Sequence, residues 1–218
     1  MPQRFEQIAP HGTLLAEGDL AFNLLEYTSH GWREPGNTNQ LIGNLQKLPT
    51  ASAAELRYKQ QAIQECARLI APLLGPTASN WSFVPIPGSK PLGHAEFDDR
   101  LSKVLQAVQV LRPDLQLDIR PVLVTRVERD RQKQGPRLTV DELRATLAVL
   151  PSPPPGLAEN VVLFDDVFTR GTSFKAAEAA LREHAPWVRN INGMFIARTI
   201  QPPPAVPAPI FFPVVPQP

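Results

Sequence analysis

The chain has 218 residues, 43% of them hydrophobic and 20% charged, enough for one well-buried core with a small appended subdomain at most. A formal net charge of +1 gives no global electrostatic reason to expect nucleic acid or a membrane surface as partner, so any site for a polyanion must be local. The single cysteine, Cys66, excludes an intrachain disulfide.

The opening Met1-Pro-Gln-Arg-Phe-Glu-Gln carries no apolar run of the kind a secretory signal needs, and nowhere do eighteen apolar residues follow one another. A soluble, cytoplasmic protein is expected. Leu20-Ala-Phe-Asn-Leu-Leu-Glu-Tyr-Thr28 mixes β-formers with polar residues and predicts a strand or short hairpin. Glycine, proline and asparagine from His30 to Asn39 predict a loop, and Leu41, Ile42, Leu45 and Leu48 then mark a short amphipathic helix. Residues 53 to 74 form the clearest helix, with Leu56, Ile63, Cys66, Ala67 and Ile70 on its apolar stripe. Cys66 reads there as a buried structural thiol.

Trp81-Ser-Phe-Val-Pro-Ile-Pro87 predicts a buried strand whose prolines belong at its end, with Gly88-Ser-Lys-Pro-Leu-Gly93 as the loop beyond. Phe97, Leu101, Val104, Leu105, Val108 and Leu111 recur at helical spacing until Pro113, and Leu117 to Thr125 predicts the next strand. After a polar, basic stretch, Thr139-Val-Asp-Glu142 supplies a capping box for a helix through Leu150, which the proline run from Pro151 ends. A strand from Val161, a helix to about His184 and a strand near Ile191 to Ala197 complete the core. Strands alternating with helices of this length predict an α/β fold, a parallel sheet flanked by helices and built from right-handed βαβ units. The tail from Gln201 to Pro218 holds eight prolines in eighteen residues and predicts an extended, polyproline-like segment. Its Pro204-Ala-Val-Pro207 and Pro213-Val-Val-Pro216 fit the spacing of groove-binding ligands, so a protein partner is considered for it.

The most informative stretch is Val161-Val-Leu-Phe-Asp-Asp-Val-Phe-Thr-Arg-Gly-Thr-Ser173. Four apolar residues without alternation suit a strand buried on both faces, which puts Asp165 and Asp166 at its C-terminal end, the ligand-binding edge of an open α/β sheet. Thr169, Arg170, Gly171, Thr172 and Ser173 then lead into a strong helix former. A helix start offers unpaired N–H groups, Gly171 lets the backbone approach closely, and the hydroxyls add donors, so the loop suits one phosphate dianion. The two acids would repel that phosphate and should face something else. A cis-diol offers two donors to acceptor-only carboxylates, which makes a sugar the natural choice.

This order of apolar strand, acidic pair and Thr-x-Gly-x-Ser resembles the phosphoribosyl-pyrophosphate (PRPP) signature of the type I phosphoribosyltransferases. The resemblance implies a core of that fold, with Asp165 and Asp166 on the ribose hydroxyls and residues Thr169 to Ser173 on the 5′-phosphate. Arg170 departs from the pattern, where a small residue is commoner; it either adds charge at the phosphate or points to solvent. Gly88, Ser89 and Lys90 resemble the family's pyrophosphate loop in position and composition. The basic segment Arg126 to Arg137 matches the position of its mobile catalytic loop, with Arg129, Arg131 and Lys133 as candidate catalytic cations beside Lys90, Asp165 and Asp166. Magnesium is the implied cofactor, held mainly through PRPP oxygens, and the four scattered histidines offer no zinc-ligand spacing. Val84-Pro-Ile-Pro87, Phe97-Asp-Asp-Arg-Leu101 and the Arg/Gln-rich loop look most like the competence-associated, ComF-like members, without their zinc cysteines.

The resemblance implies three parts. Residues 1–52 form an N-terminal hood, with Glu26, Tyr27, His30 and Trp32 available to an acceptor base; 53–200 form the phosphoribosyltransferase-like core; 201–218 form the proline-rich tail. The expected activity is displacement of pyrophosphate from PRPP by an unidentified nitrogenous acceptor. The alternatives are a non-catalytic PRPP-binding regulator, or a ComF-like accessory protein in DNA uptake or defence. A homodimer is considered, whereas nucleic acid and membrane are not expected as partners.

Overall fold

The computed structural model describes residues 4–28, 37–129, 138–151 and 156–200. Eight strands and five α-helices lie within them: β1 (Glu6–Gln7), β2 (Leu20–Thr28), α1 (Thr38–Leu45), α2 (Ala53–Ile70), β3 (Ser82–Pro85), α3 (Arg100–Leu111), β4 (Asp118–Ile119), β5 (Leu123–Thr125), α4 (Val140–Ala145), β6 (Leu147–Val149), β7 (Asn160–Phe168), α5 (Thr172–His184) and β8 (Asn190–Ile200). A six-stranded sheet runs in the order β1-β2-β8-β7-β3-β4, and every neighbouring pair is parallel except β1 with β2. The α/β architecture, a mostly parallel sheet flanked by helices, is as the pattern of the sequence predicts. No helix among the described residues is long and apolar enough to cross a membrane.

Leu20 to Thr28 forms a strand, one of the two forms expected, and lies inside the main sheet in parallel register with β8 from Leu20 opposite Asn192 to Thr28 opposite Ile200. Other expectations need correcting. The strand expected over Leu117 to Thr125 divides at Pro121, which has no N–H to give a ladder. Its first half, β4, pairs with β3, and its second, β5, pairs with β6 in a separate two-stranded sheet. The helix expected through Leu150 stops at Ala145, because Leu147 to Val149 pairs with β5 instead, although the capping box between Thr139 and Glu142 is present. The helix expected from Phe97 begins at Arg100, since Asp98 turns its Oδ1 onto the Arg100 N–H at 3.1 Å. On α2, Leu56 falls off the buried stripe and is 36% exposed. Cys66 is fully buried there, and burial pushes its thiol up to about 12, the mark of an inert structural cysteine.

The core forms two layers. Helices α1, α2 and α3 pack Ile42, Leu45, Ile63, Ile70, Val104 and Leu105 on one face of the sheet. On the other face α4, α5 and β5 contribute Leu143, Phe174, Leu181 and Leu123. The helix after β3 therefore covers one face and the helix after β7 the other, although β3 and β7 are neighbours. Such a topological switch point opens a crevice at the C-terminal ends of the two strands, where open α/β sheets bind ligands.

Candidate functional site

Strand β7 carries the acids near its C-terminal end and runs on to Phe168. Pairing with β3 stops at Phe164, where the Ile86 N–H donates to its carbonyl at 2.8 Å, whereas pairing with β8 continues to Phe168. Asp165 and Asp166 thus stand at the rim of the crevice. Successive residues of a strand face opposite ways, so the two carboxylates have different neighbours.

Asp166 turns toward the α1–α3 layer. Its Oδ2 accepts from Gln46 Nε2 at 2.8 Å, Arg100 Nε at 3.1 Å and Arg100 Nη2 at 2.8 Å. Asp165 uses its Oδ1 to accept the Asp166 N–H at 2.8 Å and makes no ion pair among the described residues. Burial first, and then the charge of Asp166, hold its carboxyl well above the ordinary aspartate range, with Arg100 pulling the other way. For Arg100 itself burial works against the charge, but Asp166 and Asp98 more than offset it and raise the guanidinium above its usual value.

The loop after β7 is shorter than the expected Thr169 to Ser173, because α5 already begins at Thr172. Gly171 has φ 92°, in the left-handed region, and is the N-cap of α5, whose first turn carries no side-chain cap. A Cβ at Gly171 would lie 3.1 Å from the Phe168 ring, so the position excludes side chains on both counts. Arg170 is exposed, and its carbonyl receives the Leu14 N–H at 2.8 Å, which ties residues 13–19 to this loop. Thr169 Oγ1 lies 3.1 Å from Thr199 Oγ1 on β8. Lys175, in the first turn of α5, is engaged by Asp19 at 2.9 Å and by Glu178.

On the β3 side of the crevice, residues 88–90 meet the start of the basic segment. The Gly88 carbonyl accepts from Thr125 Oγ1 at 2.6 Å and Arg129 Nη2 at 3.0 Å, and the Arg129 N–H donates to the Ser89 carbonyl at 3.2 Å. Burial lowers the Arg129 guanidinium below its usual value while the charge of Asp165 resists, which places these two groups in one electrostatic neighbourhood. Arg129 Nε is buried without an acceptor among the described residues. Lys90 forms an ion pair with Glu128, whose carboxylate also stands 3.7 Å from His94 Nε2. Arg131 and Lys133 lie outside the described residues, as do His30 and Trp32. Of the other two residues considered for a base, Glu26 is paired with Arg198 at 2.8 Å and Tyr27 packs against the α1–α3 layer.

The crevice thus gathers Asp165, Arg129, Gly88 and Ser89, with the Gly171 loop following directly on β7. Among the described residues no three His, Cys, Asp or Glu side chains form a metal cage. A hollow of about 420 Å³ between Arg126, Arg144, Glu183 and His184 sits at the far end of α5. With α5 spanning Thr172 to His184, that end is roughly 20 Å from the loop, too far to share its chemistry.

Gln46, Lys59, Asp98 and Arg100 were not singled out by the sequence as site residues, although all four stand behind the acid pair. Only the charged run Phe97-Asp-Asp-Arg-Leu101, directly before a buried helical stripe, marks part of this group. No protein-family model matches the chain, and no curated protein matches it.

Proposed function

We propose that the crevice binds Mg·PRPP and that the protein is a type I phosphoribosyltransferase that displaces pyrophosphate with a nitrogen nucleophile. The observation that carries this reading is the convergence, at one switch point, of an aspartate pair, a glycine-started helix and the Gly88–Arg129 cluster. A carboxylate at the crevice rim offers acceptors to the ribose hydroxyls, and the first N–H groups of α5 face the 5′-phosphate. Arg129 and the loop at Gly88 to Lys90 stand where the departing pyrophosphate would lie. In the reaction the nitrogen lone pair forms a bond to C1 while the C1–O bond breaks, and the electron pair leaves on pyrophosphate. Positioning and charge stabilisation do most of the work. Magnesium, when bound, neutralises the pyrophosphate oxygens.

A second reading, a PRPP-binding regulator without turnover, is favoured by the engagement of Lys90 with Glu128 and of Arg129 with the Gly88 carbonyl. A sensor needs only differential affinity between conformations, not a cation aimed at a leaving group. Pyrophosphate release from Mg·PRPP, followed across purine, pyrimidine, nicotinate and anthranilate-type acceptors, separates the two. Release with one acceptor, reduced by Lys90→Gln, is the outcome expected of the enzyme. Tight PRPP binding with no release above background for any acceptor would favour the regulator, and no PRPP binding at all would defeat both readings.

A further inference from the structure

Four charged side chains from three segments meet at and behind the acid pair. Lys59 on α2, Asp98 ahead of α3, Arg100 at the start of α3 and Asp166 on β7 are 8%, 7%, 15% and 7% exposed. Buried charges persist only when each is answered, and here each is. Lys59 Nζ donates to Asp98 Oδ2 at 2.7 Å and to the Lys47 carbonyl at 2.6 Å, while Arg100 Nη1 donates to the same Asp98 oxygen at 3.0 Å. The other edge of the Arg100 guanidinium grips Asp166 Oδ2, which already takes the Gln46 amide. Three donors on one carboxylate oxygen exceed its two lone-pair sites, so that oxygen has nothing left for a ligand. Asp165 carries no such load: its hydrogen bonds are local, to the N–H and side chain of the next residue along the strand, and no cation grips it.

Resting on the reading that this crevice takes PRPP, we propose that the two acids divide the work: Arg100 is a positioning residue that commits Asp166 to the protein framework, and Asp165 is the carboxylate presented to the ribose hydroxyls. The network gives Arg100 a second effect. The charged groups facing Asp165 are Asp166 from its own strand, Arg100 from α3 and Arg129 from the segment after β5. Burial and Asp166 disfavour its ionised form, and Arg100 opposes them. An aspartate that accepts two hydroxyls must be ionised, so PRPP affinity should rise with pH as Asp165 loses its proton. Removing Arg100 should move that rise to higher pH, and removing the charge of Asp166 should move it to lower pH.

The test is calorimetric titration of the full-length protein with Mg·PRPP across pH, with each variant first checked for cooperative thermal unfolding. Comparison between variants on one ligand cancels the titration of PRPP itself. Asp165→Asn should weaken binding by at least tenfold and flatten its pH dependence. Asp166→Asn should retain affinity within a few-fold at high pH with its midpoint moved down. Arg100→Met should move the midpoint up, and Arg100→Lys, which keeps the charge, should return it toward the parent; if Arg100→Met does not fold, the downward shift in Asp166→Asn carries the test. A folded Asp166→Asn protein that loses binding as fully as Asp165→Asn would show that both acids hold the sugar and overturn the proposal, as would an unmoved midpoint in Asp166→Asn and in any folded Arg100→Met protein. Absence of PRPP binding by the parent at every pH is a different outcome, and it removes the functional reading on which the division rests.

Discussion

A single residue, Gly171, decides whether the loop after β7 can exist. Its φ of 92° is a conformation that costs an L residue roughly 1–2 kcal/mol, and the Phe168 ring stands 3.1 Å from where a Cβ would lie. Gly171→Ala should therefore lower stability by about 1–2 kcal/mol in a urea titration, and it should weaken Mg·PRPP binding by more than stability alone explains, because the backbone N–H groups of α5 would be re-aimed. Unchanged stability would mean that the loop is not held as described. This glycine was legible in the sequence because it lies in a short hydroxyl-rich stretch between an apolar run and a strong helix former. Arg100 was not legible. Its partner Asp166 lies 66 positions further along the chain, and nothing local distinguishes a guanidinium buried against a distant strand from one in solvent. Lys90 is the converse case: its place in the loop beyond β3 was readable, but its pairing with Glu128, 38 positions away, depends on how the chain returns.

At the scale of elements, the seat of α5 on the sheet depends on a gap left at β8. A Cβ on Gly193 would fall 2.6 Å from the Phe195 ring and 3.1 Å from the Phe174 ring, and these two rings meet edge-on with centroids 6.2 Å apart. Gly193→Ala should thus overpack the joint and destabilise the fold by about 1–3 kcal/mol. Combining it with Phe174→Leu should cost less than the two single changes added together, a coupling that a double-mutant cycle with urea midpoints would detect. Strict additivity would place the strain elsewhere. The long periodic elements were readable for the same reason that they are stable: α2 and β7 bury continuous stripes, and periodicity reports burial. The short ones were not. Residues 147–149 could extend α4 or form a strand, and the choice falls to β6 because β5 supplies a partner for Leu147, Ala148 and Val149, a long-range fact absent from any local window. Pro121 was visible, yet its consequence, two half-strands sent to different sheets, follows only from the long-range pairing of Asp118 and Ile119 with β3 and of Leu123 to Thr125 with β6.

For the molecule as a whole, the decisive question is whether the first 52 residues are a detachable hood. They supply β2, paired with β8 along its length, and α1, and together these place Leu24, Leu41, Ile42 and Leu45 in the core layer that also holds α2 and α3. Burying four such side chains stabilises by roughly 6–12 kcal/mol, at about 1.5–3 kcal/mol each. That matches the entire net stability of a typical domain, about 5–15 kcal/mol. Deletion also bares the edge of β8 and withdraws Gln46 from Asp166, so the crevice would lose a donor at its most buried point. A protein beginning at residue 53 should accordingly show no cooperative thermal transition by near-ultraviolet circular dichroism, and it should bind a dye for exposed apolar surface where the full chain does not. A sigmoidal transition near the full-length midpoint would instead establish residues 53–200 as a self-contained core. The first outcome would have a structural meaning: a segment that completes the sheet and reaches the acid pair through Gln46 belongs to the framework of the site and is not a separable cover.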